Sequence, residues 1–135
     1  MIRYSIGDTG SFGKTLTETD VYLFAGICGD FNPLHINKEI AGQSQYGRQI
    51  VHGSLLNSFI STVLGMYMPG QGSIYMEQYS KFIHPVFIGD TITAKVEILE
   101  IDEKNNAVLD TKIFNQNDIL VVDGKARVKL PEPLG

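Results

Sequence analysis

From Gly53 to Met76 the chain carries no charged residue, and Leu55, Leu56, Phe59, Ile60, Val63, Leu64 and Met66 fall around most of a helix's circumference. Small residues (Ser54, Ser58, Ser61, Thr62 and Gly65) take the positions between them. A helix that is apolar nearly all round does not face water along its length, so other structure has to wrap it. Met68-Pro69-Gly70-Gln71-Gly72 then stops it just beyond Tyr67.

The wrapping material follows in the chain. Ile92, Ala94, Val96 and Ile98 alternate with Thr91, Thr93, Lys95 and Glu97, the period of a strand with one face buried. The runs from Ile74 to Phe82, Ala107 to Asn115 and Ile119 to Leu130 read the same way. Ile88-Gly89-Asp90, Glu103-Lys104-Asn105-Asn106 and Gln116-Asn117-Asp118 are the turns between strands. Four long strands and one buried helix predict an α+β fold, a curved antiparallel β-sheet wrapped around a long central helix, in a single domain over residues 1–135. A sheet this small leaves an edge strand whose pairing with a second copy would protect it, so a homodimer is expected.

Ahead of the central helix lie shorter elements. Thr17-Glu18-Thr19-Asp20 has the form of an N-terminal capping box. Val21, Phe24, Ala25 and Cys28 then share one apolar helical face, and Gly29 provides the left-handed stop. A loop around Asn32-Pro33 follows, then a short helix capped by Asn37.

The chemistry-bearing residues sit in these connections. Gly29-Asp30-Phe31-Asn32-Pro33-Leu34-His35 is the densest polar cluster. A carboxylate and an imidazole turned inward from one loop can share a water and act as base and acid on it. The plainer reading makes Asp30 an Asx turn and His35 a satisfied core histidine. Ile50-Val51-His52-Gly53-Ser54 leads directly into the central helix, where unpaired N–H groups carry partial positive charge. A Gly53 amide there can receive a developing oxyanion, or Gly53 and Ser54 can be an ordinary helix cap. Asp30, His35 and His52 lack any familiar metal-ligand spacing, so no metal is expected. Cys28, on the apolar face, reads as packing rather than as a nucleophile. Ser54, Ser58 and Ser61 lack the frame of a nucleophilic serine, and His84 before Pro85 reads as a strand-end turn.

A net charge of −4 with scattered lysines and arginines gives no footprint for nucleic acid. No apolar run is long enough to span a bilayer, and the N-terminal residues do not have the pattern of a signal peptide. The single cysteine fits a reducing compartment, so the expected location is cytoplasmic, with no membrane partner.

The segment from Tyr22 to Ala41, YLFAGICGDFNPLHINKEIA, resembles the hydratase 2 motif, in which G-D-x-N-P-[LIV]-H is followed by five residues and a small one. Ile50-Val51-His52-Gly53, Gly72-Ser73-Ile74-Tyr75 and Phe87-Ile88-Gly89-Asp90 also look like features of this family, the MaoC-like R-specific enoyl-CoA hydratases. The likeness runs over nearly the whole chain. It implies a hotdog fold with a site at or near a dimer interface, and an acyl chain carried on coenzyme A as substrate. It implies reversible hydration of trans-2-enoyl-CoA to (3R)-hydroxyacyl-CoA, or the same chemistry run as a dehydratase, with no cofactor of its own. By the same likeness Asp30 and His35 match the catalytic pair and Gly53 the glycine whose amide receives the thioester oxygen. Asn32 is expected to orient the loop and Ser61 to line the acyl pocket. Burial of Asp30 beside Phe31, Leu34 and the acyl tail would supply part of what it needs to carry a proton near neutral pH, and Tyr46, Phe59, Tyr67 or Tyr75 would shorten the pocket toward short or medium chains. A hotdog thioesterase and a non-catalytic acyl binder are the remaining alternatives.

Overall fold

The computed structural model describes residues 3 to 132. The outer ends of the expected domain, residues 1–2 and 133–135, lie outside that range. Five strands form one antiparallel sheet in the order β1-β3-β4-β5-β2. They are β1 (Thr9–Thr15), β2 (Ile74–Phe82), β3 (Thr91–Ile101), β4 (Asn106–Phe114) and β5 (Leu120–Lys129). Four helices lie between β1 and β2: α1 (Glu18–Cys28), α2 (Pro33–Ile36), α3 (Lys38–Gln43) and α4 (Gly53–Thr62). A π-helical turn, Val63–Tyr67, extends α4.

The alternation read from the sequence becomes the inner face of the sheet. Ile92, Ala94, Val96 and Ile98 of β3, Ala107, Leu109 and Ile113 of β4, and Val122, Ala126 and Val128 of β5 are buried in one cluster with Leu55, Leu56, Phe59, Ile60, Val63 and Leu64. Each such Val, Leu, Ile or Phe side chain removed from water stabilises the fold by ~1.5–3 kcal/mol, which makes this contact the main source of cohesion. Gly124 permits the tight approach of β5 to β2, since a Cβ there would lie 2.0 Å from the Tyr79 carbonyl oxygen.

Two expectations need correction. A fifth strand, β1, pairs with β3 from Thr9↔Glu97 to Thr15↔Thr91, although its sequence TGSFGKT carries no strand pattern. Its place is set by non-local pairing, and by Gly10, where a Cβ would meet the Met68 Cβ at 2.8 Å. The central helix, moreover, is wrapped on one side only. Met66 is 74% exposed, and Tyr67 and Ser61 are exposed too. Edge strand β2 shows Ile74, Tyr75, Met76, Tyr79 and Phe82 to solvent. One copy of a five-stranded sheet does not extend far enough to cover the remaining apolar surface.

The ends of the short helices follow local chemistry. Thr17 and Asp20 close the capping box of α1, and Gly29 ends it at φ 83°. Val21 and Ala25 are buried, but Cys28 is exposed, so that residue is not packing the core. Pro33 opens a single helical turn rather than a plain loop, because at N1 its missing N–H costs nothing. Asn37 caps α3 through Glu39 N–H and Ile40 N–H.

Candidate active site

The turn after α1 and the approach to α4 meet at one corner. The Asn32 side chain accepts from the Leu34 amide at 3.1 Å and starts α2, while the Asn32 amide donates to Asp30 Oδ1 at 3.2 Å. Asn32 thus orients the bend and one carboxylate oxygen together. One helical turn later His35 is buried. Its Nδ1 lies 2.8 Å from the Ile50 carbonyl oxygen. A carbonyl only accepts, so Nδ1 carries the proton and the lone pair is on Nε2. That Nε2 stands 3.9 Å from Asp30 Oδ2.

The gap is too long for a direct hydrogen bond and suits a shared water. Two acceptors 3.9 Å apart and each ~2.8 Å from one water subtend ~90° at its oxygen, a compressed but usable donor geometry. A water held there could donate one proton to the carboxylate and the other to the imidazole, with its oxygen lone pairs left free.

The strand-like approach to α4 is clipped on both sides. Ile50 N–H donates to the Leu34 carbonyl at 3.1 Å and Val51 N–H to the Val86 carbonyl at 2.7 Å. Buried Gln49 adds a clamp, its Nε2 donating to the His35 carbonyl at 2.7 Å and to Tyr22 Oη at 3.1 Å. His52 is the N-cap residue of α4, but its side chain does not cap. Its Nε2 lies 2.9 Å from the Asp30 carbonyl oxygen, and its ring stacks on His35 with centroids 3.9 Å apart. Among the described residues no acceptor is paired with the Gly53 N–H at this helix start. Phe82 lies against Gly53, where a Cβ would come within 2.9 Å of the ring.

A cavity of about 610 Å3 opens here, lined among others by His35, Tyr46, Gly53, Ser54, Phe82 and His84. His35 and Gly53 therefore share this cavity, while Asp30 is not among its lining residues and adjoins it through His35 Nε2 and through its carbonyl bond to His52, with Asn32 at the bend. Ser61 does not line this cavity. It lies exposed, roughly 12 Å along the helix from Gly53 at 1.5 Å per residue. Asp30 is 52% exposed at its side chain and Phe31 is exposed, so the burial expected of Asp30 is not supplied within this chain. Of the bulky residues expected to shorten the pocket, Tyr46 lines the cavity, whereas Phe59 belongs to the core and stacks on Phe12. Sequence reasoning passed over Gln49, weighed His52 only as a metal ligand and read His84 as a strand-end turn. Their signal is spatial, although His52 immediately before a helix-starting glycine is a hint.

Asp30, His35 and His52 also bring potential metal-ligating atoms within 4.8 Å of one another. The two carbonyl bonds engage one nitrogen on each ring, and the second nitrogen of His52, Nδ1, is sealed from solvent. An arriving ion would meet one open nitrogen and one carboxylate, a sparse set for a metal centre.

A five-stranded antiparallel sheet curled against a central helix, with a carboxylate and an imidazole 3.9 Å apart on the short elements that precede it, defines a hotdog domain. The chain belongs to the MaoC-like domain family, whose model matches residues 6–116. It is 43% identical over 127 residues to an (R)-specific enoyl-CoA hydratase of Aeromonas caviae, covering 93% of this chain and 95% of that protein. The solved structure of an A. caviae (R)-hydratase involved in PHA biosynthesis superposes with a TM-score of 0.93 at 43% identity, covering 95% of this chain and 98% of that one. The unliganded R-hydratase PhaJ1 of Pseudomonas aeruginosa also superposes with a TM-score of 0.93, at 35% identity over 96% of this chain and 84% of that one.

Proposed function

We propose that this protein is an (R)-specific enoyl-CoA hydratase, adding water reversibly across the double bond of a trans-2-enoyl-CoA to give the (3R)-hydroxyacyl-CoA. The observation that carries the reading is the 3.9 Å gap between Asp30 Oδ2 and His35 Nε2, with the far nitrogen of His35 fixed on a carbonyl. The named hydratases at this level of identity support it.

The Gly53 amide and the partial positive charge of the α4 start polarise the thioester C=O and draw electron density from C3. Asp30, aided by His35, takes a proton from the shared water as its oxygen bonds to C3. The π electrons move toward the carbonyl as an enolate. A proton returned to C2 from the same side re-forms the thioester carbonyl. Water adds as H and OH, so no electrons are exchanged with a redox group and none is required. Microscopic reversibility makes the same residues a dehydratase for (3R)-hydroxyacyl thioesters, with direction set by supply. Tyr46 and Phe82 beside the cavity support a short to medium acyl chain.

The working form in this reading is a homodimer. The apolar residues along β2, with Met66 and Tyr67, form an uncovered edge and face that a second copy would bury. An exposed, unpaired Cys28 suits a reducing cytoplasm, and no helix among the described residues is long and apolar enough to cross a membrane.

Crotonyl-CoA tests the reading directly. Loss of the enoyl absorbance with formation of (3R)-hydroxybutyryl-CoA is the expected result. Release of free CoA would mean a thioesterase, and binding without turnover would mean a carrier, and either would overturn the proposal.

A further inference from the structure

Among the buried polar side chains that the hydration chemistry does not use, His52 stands next to the catalytic pair. His52 is 2% exposed, with the edge of Phe24 packed on it at 5.0 Å and 63°. The Asp30 carbonyl accepts from Nε2, so Nε2 carries the proton and Nδ1 is a bare lone pair. That Nδ1 is buried and has no hydrogen-bond partner. A phenylalanine would fill a similar space without an orphaned nitrogen. What it would lack is the bond from the side chain of residue 52 to the backbone of residue 30.

We propose that His52 is a positioning residue that ties the Asp30 backbone and the His35 ring plane to the start of α4. The Asp30 carbonyl is held by His52 and its Oδ1 by the Asn32 amide, so the carboxylate is fixed from two directions. His35 is held at its edge by the Ile50 carbonyl and across its face by the stacked His52 ring, 26° from parallel. Because His52 directly precedes Gly53, one side chain sets the spacing between the water-holding pair and the amide that polarises the thioester. Both halves of the chemistry are registered to one another through it.

This inference rests on the hydratase reading, and the two fail separately. Hydration of crotonyl-CoA by the unaltered enzyme tests the reading, and the variants below test His52 alone. His52→Phe keeps a stacking ring and deletes the donor. Loosening the pair by about 1 Å is expected to lower kcat by ~10²-fold while KM stays within about twofold. His52→Gln carries an amide donor near the position of Nε2 and is expected to recover most of that kcat. A His52→Phe enzyme with kcat within about threefold of the unaltered one would overturn the proposal, as would a His52→Gln enzyme no better than His52→Phe. Should His52→Phe fail to fold, imidazole 15N spectra of the unaltered protein decide. His52 is expected as the Nε2–H tautomer and His35 as the Nδ1–H tautomer, and an Nδ1–H tautomer at His52 would remove the bond on which the inference stands.

Discussion

The two long helices of this protein begin in opposite ways. At α1 Thr17 accepts from the Asp20 amide at 3.2 Å while Asp20 accepts from the Thr17 amide at 2.9 Å, so the first turn is closed by its own side chains. At α4 the N-cap residue turns its ring away to the Asp30 carbonyl, glycine follows, and no side chain reaches the first amides. The closed start lies outside the cavity, whereas the open one forms part of its wall. Capping a helix start typically contributes ~0.5–2 kcal/mol, and leaving it uncapped forgoes that stability. The contrast suggests that α1 is built for stability alone, while α4 leaves its positive end available to a substrate carbonyl.

The largest test asks whether the open corner does chemistry at all. Asp30→Asn and His35→Ala should each reduce kcat by ~10²–10⁴-fold, with KM moving far less, in steady-state assays on crotonyl-CoA. Asp30→Asn should leave the melting temperature nearly unchanged, because Asp30 is half exposed and the loop keeps its Asn32 cap, whereas His35→Ala should lower it, because the buried ring's bond to the Ile50 carbonyl and its stack on His52 are lost. Near-native turnover in either would reduce the open corner to a structural irregularity.

A second test isolates the amide itself. His52 already has φ −58° and ψ 134°, the extended geometry that a following proline favours, and proline is tolerated at the first helical position. Gly53→Pro therefore removes the N–H while the helix start can persist. Gly53→Ala is the steric control, since its Cβ also meets the Phe82 ring yet retains the N–H. We expect Gly53→Pro to fall ~10²-fold or more below Gly53→Ala in kcat, the cost of removing one oxyanion donor. Equal kcat in the two variants would show that the open amide is idle.

The same two starts show what the chain makes legible. The α1 box spans Thr17 to Asp20, and its bonds close within three residues, so composition and spacing reveal it. Gly29 and Asn37 are legible for the same reason, as are the alternating inner faces of β3 and β4. His52 reads differently because its partners, the Asp30 carbonyl and the His35 ring, lie 22 and about 17 residues back along the chain and adjoin it only in the fold. Strand β1 escapes for a related reason. Gly10 and Gly13 look like turn residues, and pairing with β3 alone makes them a strand. Exposure is the other blind spot. Cys28 and Asp30 occupy positions whose burial depends on what packs over them, and in one copy nothing does.

The smallest effects belong to the closed start, and they sharpen the comparison by what they leave alone. Thr17→Ala should cost ~1 kcal/mol of stability in urea unfolding, the ordinary loss for a hydroxyl cap, with kcat and KM unchanged. Asp20→Asn should cost less, and its cost should depend on pH. Partial burial alone would raise the Asp20 carboxyl, but hydrogen bonds with the Thr17 amide and hydroxyl, and Lys14 at 3.2 Å, outweigh this and hold it below the usual carboxylate range. A group depressed in the fold binds its proton more readily when unfolded, so its contribution is complete above the ordinary value near ~4 and fades as pH falls through the lower, folded value. The stability gap between Asp20→Asn and the unaltered protein should thus be constant from neutral pH down to about 5 and close below about 4. A gap that persisted in acid would assign the role of Asp20 to shape rather than charge. A change in kcat with either variant would mean that the two helix starts are not independent.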